Sequence, residues 1–169
     1  ARHSDLAALI EAARPDAVAA FGPIVEHLAV VEECAPRGVH VMVEKPLAVS
    51  VDHATRMVEL ATRHGIHLLT NYETTWYPSV TELFGRIDEG AIGAPWRVLV
   101  RDGHPGPIEC GCGPHFLAWL LDPVLGGGGA LVDFGCYGAN LMTTLMRGRL
   151  PEKVTAIARN VKPALYPLV

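Results

Sequence analysis

Apolar residues fall at helical spacing from the start of the chain. Ser4 reads as a cap, and Leu6, Leu9, Ile10 and Ala13 follow on one face. Arg14-Pro15-Asp16 interrupts that pattern, and Asp16 to Phe21 is a short apolar run of the kind a buried strand carries. After a turn at Gly22-Pro23, a second helix places Leu28, Val31 and Cys34 inward and stops at Gly38. Val39 to Glu44 is the next strand. Ser50 caps a third helix with an apolar stripe of Met57, Val58 and Ala61, ended by Gly65, and Ile66 to Thr70 is a third strand. Pro78 suits the first turn of a fourth helix, with Leu83, Phe84 and Ile87 inward and Gly90 at its end. Strands alternating with helices of this length predict βαβ units and a mostly parallel sheet, an α/β fold.

Beyond Gly93 the pattern changes. Trp96 to Arg101 and Lys153 to Arg159 alternate apolar and polar side chains, as strands with one wet face do. Between them lie a Gly-, Pro- and Cys-rich loop (102–114), an apolar patch containing Phe116, Trp119, Leu120 and Leu121, and the run Gly126 to Gly129. A helix is predicted from about Asp133 to Met146. The change places a domain boundary between Thr70 and Gly93, giving units 1–75 and 76–169.

Composition narrows the function classes. Half of the 169 residues are apolar, 19% are charged and the mean hydropathy is +0.24, which suits a chain with a sizeable core. A net charge of −4 argues against a nucleic-acid partner, and no apolar run reaches the ~18 residues that cross a bilayer. Four unevenly spaced cysteines suggest thiols in a reducing compartment, hence a cytoplasmic protein. Cys110, Cys112 and His115 lack zinc-site spacing, so no metal is expected.

Two segments carry candidate chemistry. Glu44-Lys45-Pro46 sits where a parallel strand ends, and ligands of open α/β sheets bind at that edge. Pro46 restricts how Lys45 is presented. Downstream, Asp133, Tyr137, Asn140 and Thr144 share one stripe of the predicted helix at i, i+4, i+7 and i+11, and the preceding glycines allow close approach of a ligand. A lysine beside a tyrosine favours the phenolate and lowers its pKa from about 10. Lys45 and Tyr137 could then exchange a proton with an alcohol whose carbon exchanges hydride with a cofactor, while Asp133 holds a hydroxyl.

These segments resemble the glucose–fructose oxidoreductase and inositol dehydrogenase family, Gfo/Idh/MocA. The matching residues include Asp16 to Val18, Gly22-Pro23, His27, Gly38 to Ala48 with Glu44-Lys45-Pro46, Asn71-Tyr72, Pro78, Gly90 to Gly93, Gly127 to Tyr137 and Pro151 to Ala156. The resemblance implies a Rossmann domain followed by an α/β domain with a large open, mostly antiparallel sheet that binds substrate and builds a homo-oligomer, a dimer or tetramer. It implies Lys45, Asp133 and Tyr137 as catalytic residues, in the tyrosine-bearing branch. Phe21, Gly22, Pro23, His27, Glu44, Lys45 and Pro46 would line the nicotinamide end of NAD or NADP. Tyr72, Trp119 and Asn140 are candidate substrate contacts, Trp119 through its aromatic face.

The chain lacks the G-x-G-x-x-G fingerprint and the residue that selects between the two dinucleotides. The resemblance therefore places the first βαβ unit upstream of Ala1, and the rest of the second sheet beyond Val169. At the position where the family often has an arginine, two residues before Pro78, this chain has Trp76. The expected activity is hydride transfer between nicotinamide and a sugar, polyol or related hydroxylated compound. Two alternatives are NAD-dependent glycoside cleavage and a non-catalytic dinucleotide-binding regulator.

Overall fold

The computed structural model describes residue 3 and residues 5–166. The expected cap at Ser4 lies outside them. Asp5 serves instead, its carboxylate accepting the Ala8 N–H at 2.8 Å, and helix α1 runs Leu6–Ala13. Strand β1 (Ala17–Ala20), helix α2 (His27–Cys34), strand β2 (His40–Glu44), helix α3 (Val51–His64) and strand β3 (Leu68–Asn71) follow. The sheet is parallel in the order β1-β2-β3, with Ala20 opposite Val43 and Glu44 opposite Asn71. Parallel neighbours with intervening helices place all three C-terminal strand ends on one edge, where a site belongs.

Local chemistry explains the boundaries. Ser50 Oγ accepts the His53 N–H at 3.2 Å to start α3, and Gly65, at φ +65, closes it in a conformation that a β-carbon disfavours. The core sits between sheet and helices. Val43, Val31, Cys34, Ala35 and Met57 are fully buried, and Val41, Leu60 and Ile66 nearly so. Along β2 the valines are buried while His40, Met42 and Glu44 are only partly covered, so one face of this strand carries the packing. In α3 the buried residues are Met57, Leu60 and Ala61. Val58, expected on that stripe, is 53% exposed, because it follows Met57 by about 100° around the helix.

A turn at 73–76 leads to α4 (Pro78–Asp88), which buries no residue completely; Phe84 and Ile87 are half-buried and Leu83 faces outward. The second half differs from expectation in two respects. Residues 96–101 and 153–159 form no ladder among the described residues, and their apolar side chains are open to solvent: Trp96 is 89% and Ile157 99% exposed. A strand exists only with a neighbour to receive its hydrogen bonds, and neither segment has one here. The large antiparallel sheet is therefore not seen among the described residues. The predicted helix from about Asp133 to Met146 is present but begins later, so Asp133 falls on a separate short helix before it. The apolar patch forms α5 (Pro114–Leu120), then α6 spans Gly129–Asp133 and α7 spans Gly135–Leu145. Phe134, at φ −109 and ψ −34, breaks the helix between the last two.

Candidate active site

Lys45 is the first residue past β2, and the Lys45–Pro46 peptide that follows is cis. Glu44, before it, is held by its register partner: Asn71 Nδ2 donates to Glu44 Oε2 at 2.9 Å. The two halves of the chain meet above this edge. The Val25 N–H donates to Leu125 O at 3.2 Å, and a β-carbon at Gly127 would approach Val49 to 3.2 Å. The glycine run thus allows a close approach of backbone to backbone, bringing α6 down onto the strand ends.

That approach places Asp133 on Lys45. The ammonium Nζ is paired with the Asp133 carboxylate and also donates to the Asp133 carbonyl at 3.2 Å. Both side chains are only 17% exposed, so each charge needs the other. The break at Phe134 separates α6 from α7, and Tyr137 on α7 enters the same cluster. Lys45 Nζ lies 5.2 Å from the centre of the Tyr137 ring and 5.4 Å from that of Phe134, within cation–π range of both.

Tyr137 is buried, and burial, with the charges of Glu73, Cys136, Glu44 and Asp133, pushes its phenol above the ordinary tyrosine value. This reverses the expected lowering by Lys45. The ammonium faces the ring, and its charge is already neutralised by Asp133.

Other expected residues divide by position. Tyr72 meets Tyr137 edge-on with ring centres 6.0 Å apart, and burial pushes its phenol up to about 12. Asn140, one turn beyond Tyr137, donates from Nδ2 to Thr75 Oγ1 at 3.0 Å, fastening α7 to the 73–76 turn. Trp119 is not brought to this cluster; its ring packs edge-on against Phe116 within α5. Asp133 and Phe134 line a cleft of about 900 Å³, whose lining does not include Lys45 or Tyr137. The far wall is the 102–107 loop, with His104 edge-on to Phe134 at 4.5 Å. Lys162 Nζ donates to Glu109 Oε1 at 2.6 Å, and the Tyr166 hydroxyl bonds Glu109 Oε2, so this wall is tied down.

Three participants were missed from the sequence. Phe134 stacks under the ammonium, the Cys136 thiol donates to Asp133 O at 3.3 Å, and Glu73 acts on Tyr137 through its charge. Burial pushes the Cys136 thiol up to about 11, against the pull of Lys45. Phe134 and Cys136 adjoin Asp133 and Tyr137 in sequence, which was the available signal. Nothing in the sequence marked Glu73.

The strand ends fit a nicotinamide. Phe21, one residue past β1, is 64% exposed, an aromatic face at the same sheet edge as Lys45. The Lys45–Asp133 pair is neutral overall, so it does not repel the cationic oxidised ring. Gly22 and Glu44 flank this edge and Pro23 is half-buried, but Pro46 is buried and His27 is 1% exposed, so neither offers a surface to a ligand.

Known proteins are similar to this chain in sequence and fold. Residues 2–72 match the model of the GFO/IDH/MocA oxidoreductase family with an NAD-binding Rossmann fold, and residues 80–166 match a GFO/IDH/MocA C-terminal domain. The D-xylose 1-dehydrogenase [NADP(+)] of Haloarcula marismortui is 35% identical over 132 residues, covering 78% of this chain and 36% of that protein. The trans-1,2-dihydrobenzene-1,2-diol dehydrogenase of Xenopus tropicalis is 29% identical over 139 residues, covering 82% and 39%. An NAD binding oxidoreductase structure from Klebsiella pneumoniae superposes with TM-score 0.68 at 25% identity, covering 86% of this chain and 38% of that one. The chain thus spans less than half the length of these relatives. With both of its halves matched and 35% identity to one relative over 132 residues, this chain belongs to the GFO/IDH/MocA oxidoreductase family.

Proposed function

We propose that the full-length protein is an NAD(P)-dependent dehydrogenase that oxidises a CH–OH group of a sugar, polyol or related hydroxylated substrate, or reduces the corresponding carbonyl. The observation that carries this is the Lys45–Asp133 pair held against the Tyr137 ring at the C-terminal edge of a parallel sheet. When bound, the nicotinamide supplies the hydride acceptor or donor. Tyr137 takes or returns the hydroxyl proton. In the structure its phenol is neutral, so it is set to donate in the reducing direction.

For Tyr137 to accept a proton, a substrate hydroxyl must draw the Asp133 carboxylate off Lys45 and leave the ammonium's charge to act on the phenol. Asp133 fits this role because it lines the cleft while touching Lys45. Phe21, Gly22, Pro23 and Glu44 would flank the nicotinamide, and Tyr72 and Asn140 would shape the substrate side of Tyr137. The relatives' names, a xylose dehydrogenase and dihydrodiol dehydrogenases, support the substrate class.

The same proposal divides the chain into a partial Rossmann unit, 1–75, and a partial substrate unit, 76–169. In the whole protein, segments 96–101 and 153–159 would join an open, mostly antiparallel sheet, and a homodimer or tetramer would form. Their exposed apolar side chains, Trp96, Leu99, Val154 and Ile157, support burial there. Four free cysteines support a cytoplasmic setting. No helix among the described residues is long and apolar enough to cross a membrane.

The test is a screen of the full-length protein with NAD+ and NADP+ against pentoses, hexoses, inositols and cyclic diols, read by nicotinamide absorbance. Turnover of at least one class is expected. Release of an aglycone from a glycoside without net absorbance change would assign glycoside cleavage instead. Tight dinucleotide binding with no turnover of either kind would assign a regulator.

A further inference from the structure

His27 is the one polar side chain buried to 1% among the described residues, and neither the ion pair nor the cleft uses it. It opens α2, directly beneath the turn that follows β1. Its Nδ1 bonds the carbonyl of Leu47, 20 residues on, at 3.1 Å. A carbonyl can only accept, so Nδ1 carries the proton, and Nε2 of the neutral ring is then a bare lone pair without a hydrogen-bond partner.

Burial holds the ring below the usual histidine pKa. The backbone at Leu47, Gly22 and Pro46 and the charge of Glu44 pull the other way. These neighbours place the imidazole between the two turns at the sheet edge, Gly22-Pro23 after β1 and Lys45-Pro46-Leu47 after β2. An imidazole sealed from solvent cannot stack on or hydrogen-bond a dinucleotide lying in the open crevice.

We infer that His27 is a positioning residue: through its Nδ1–H bond to Leu47 O it fixes the turn that carries Lys45, and so sets the ammonium on Asp133 and the Tyr137 ring. Leu47 and Ala48 pack against the core, but side-chain hydrogen bonds and ion pairs to this turn are few among the described residues. Glu44 is held by Asn71 on the strand side, and Lys45 itself by Asp133. Between Pro46 and the start of α3, the His27 bond is the side-chain tether that ties the turn to the first βα unit. The carbonyl it satisfies lies two residues past Lys45, so a shift there moves the ammonium directly. The kinetic consequence rests on the dehydrogenase proposal above; the positional one does not.

The test separates the two. In the full-length protein, acetic anhydride labels lysines at rates set by access to the amine, read by mass spectrometry. Lys153, far from His27 in the chain and common to every variant, serves as internal standard. His27→Leu removes the donor at similar size, His27→Asn keeps an N–H at the δ position, and His27→Gln moves it to the ε position. Lys45 labelling relative to Lys153 is expected to rise roughly two- to tenfold in the Leu and Gln variants, the range one neutral hydrogen bond can carry, and to stay near wild type in the Asn variant. If His27→Leu fails to give a cooperative unfolding transition, the Gln and Asn pair carries the comparison.

Equal Lys45 labelling in wild type, Leu and Gln variants would overturn the inference, as would an Asn variant that labels like Gln. In the active enzyme, kcat should fall in parallel with the labelling change while dinucleotide Kd holds. A Kd that rises while kcat and labelling stay fixed would make His27 a cofactor contact and overturn the positioning role. Absence of any nicotinamide turnover by wild type would defeat the dehydrogenase proposal and leave the labelling outcome to decide this one.

Discussion

Removing one partner of the Lys45–Asp133 pair should destabilise the protein far more than loss of a surface ion pair. Exposed pairs contribute about 0–1 kcal/mol, whereas stranding one charge of a fully buried pair costs about 3–5 kcal/mol. Both side chains here are 17% exposed, nearer the buried limit, but water reaches the pair. In Asp133→Asn the ammonium keeps the residue's own carbonyl, 3.2 Å away, and the ring faces of Phe134 and Tyr137. These partial compensations bring the expected loss to about 2 kcal/mol, with a similar figure for Lys45→Met, which leaves the carboxylate unpaired.

The double variant has no stranded charge and should lose less than the sum of the two, by a coupling of about 2 kcal/mol. Urea unfolding of wild type, both single variants and the double variant measures the cycle. Single losses under about 0.5 kcal/mol that simply add would place this pair with surface pairs and refute the burial argument.

Other consequences are independent of that pair. Met57 is fully buried between sheet and helices, so Met57→Ala should cost about 3 kcal/mol by urea unfolding, and a loss under about 1 kcal/mol would contradict tight packing there. Ser50→Ala removes the cap of α3 and should cost about 1 kcal/mol, with Ser50→Asp close to wild type. The Tyr72 phenol is raised from 10 to about 12 in the folded state, so its stabilisation is complete below pH 10 and is lost as pH climbs toward 12. Tyr72→Phe should flatten the fall in urea midpoint across that alkaline window by up to one proton's slope, and identical slopes would contradict the burial of this phenol.

The first half of the fold was legible because its signals are local. Period-2 and period-3.6 patterns, caps at Ser50 and Gly65 and the break at Arg14-Pro15 fix elements within a few residues of themselves, and the parallel β1-β2-β3 order follows from the helical crossovers. The second half was less legible for a physical reason. Alternation in 96–101 and 153–159 indicates a strand-forming preference, but a ladder needs a partner that the pattern does not name.

The site shows the same division. Lys45 could be placed from its strand end alone, and its meeting with Asp133 follows from glycines that let one backbone close on another. The interruption at Phe134 could not be foreseen, since no proline or glycine occupies that position to announce it. Nor could the sign of the Tyr137 shift. A lysine nearby favours the phenolate only if its charge is free, and the sequence could not show that Asp133 would neutralise it first.

The central claim is that Tyr137 moves the proton that accompanies hydride transfer. Its most direct test is Tyr137→Phe in the full-length enzyme, with kcat and the Kd for reduced dinucleotide measured side by side. A fall in kcat of about 10²–10⁴, the usual contribution of a general acid or base, with Kd within about threefold of wild type, is the predicted result. A variant that turns over at the wild-type rate, or one that loses dinucleotide affinity as steeply as turnover, would contradict it.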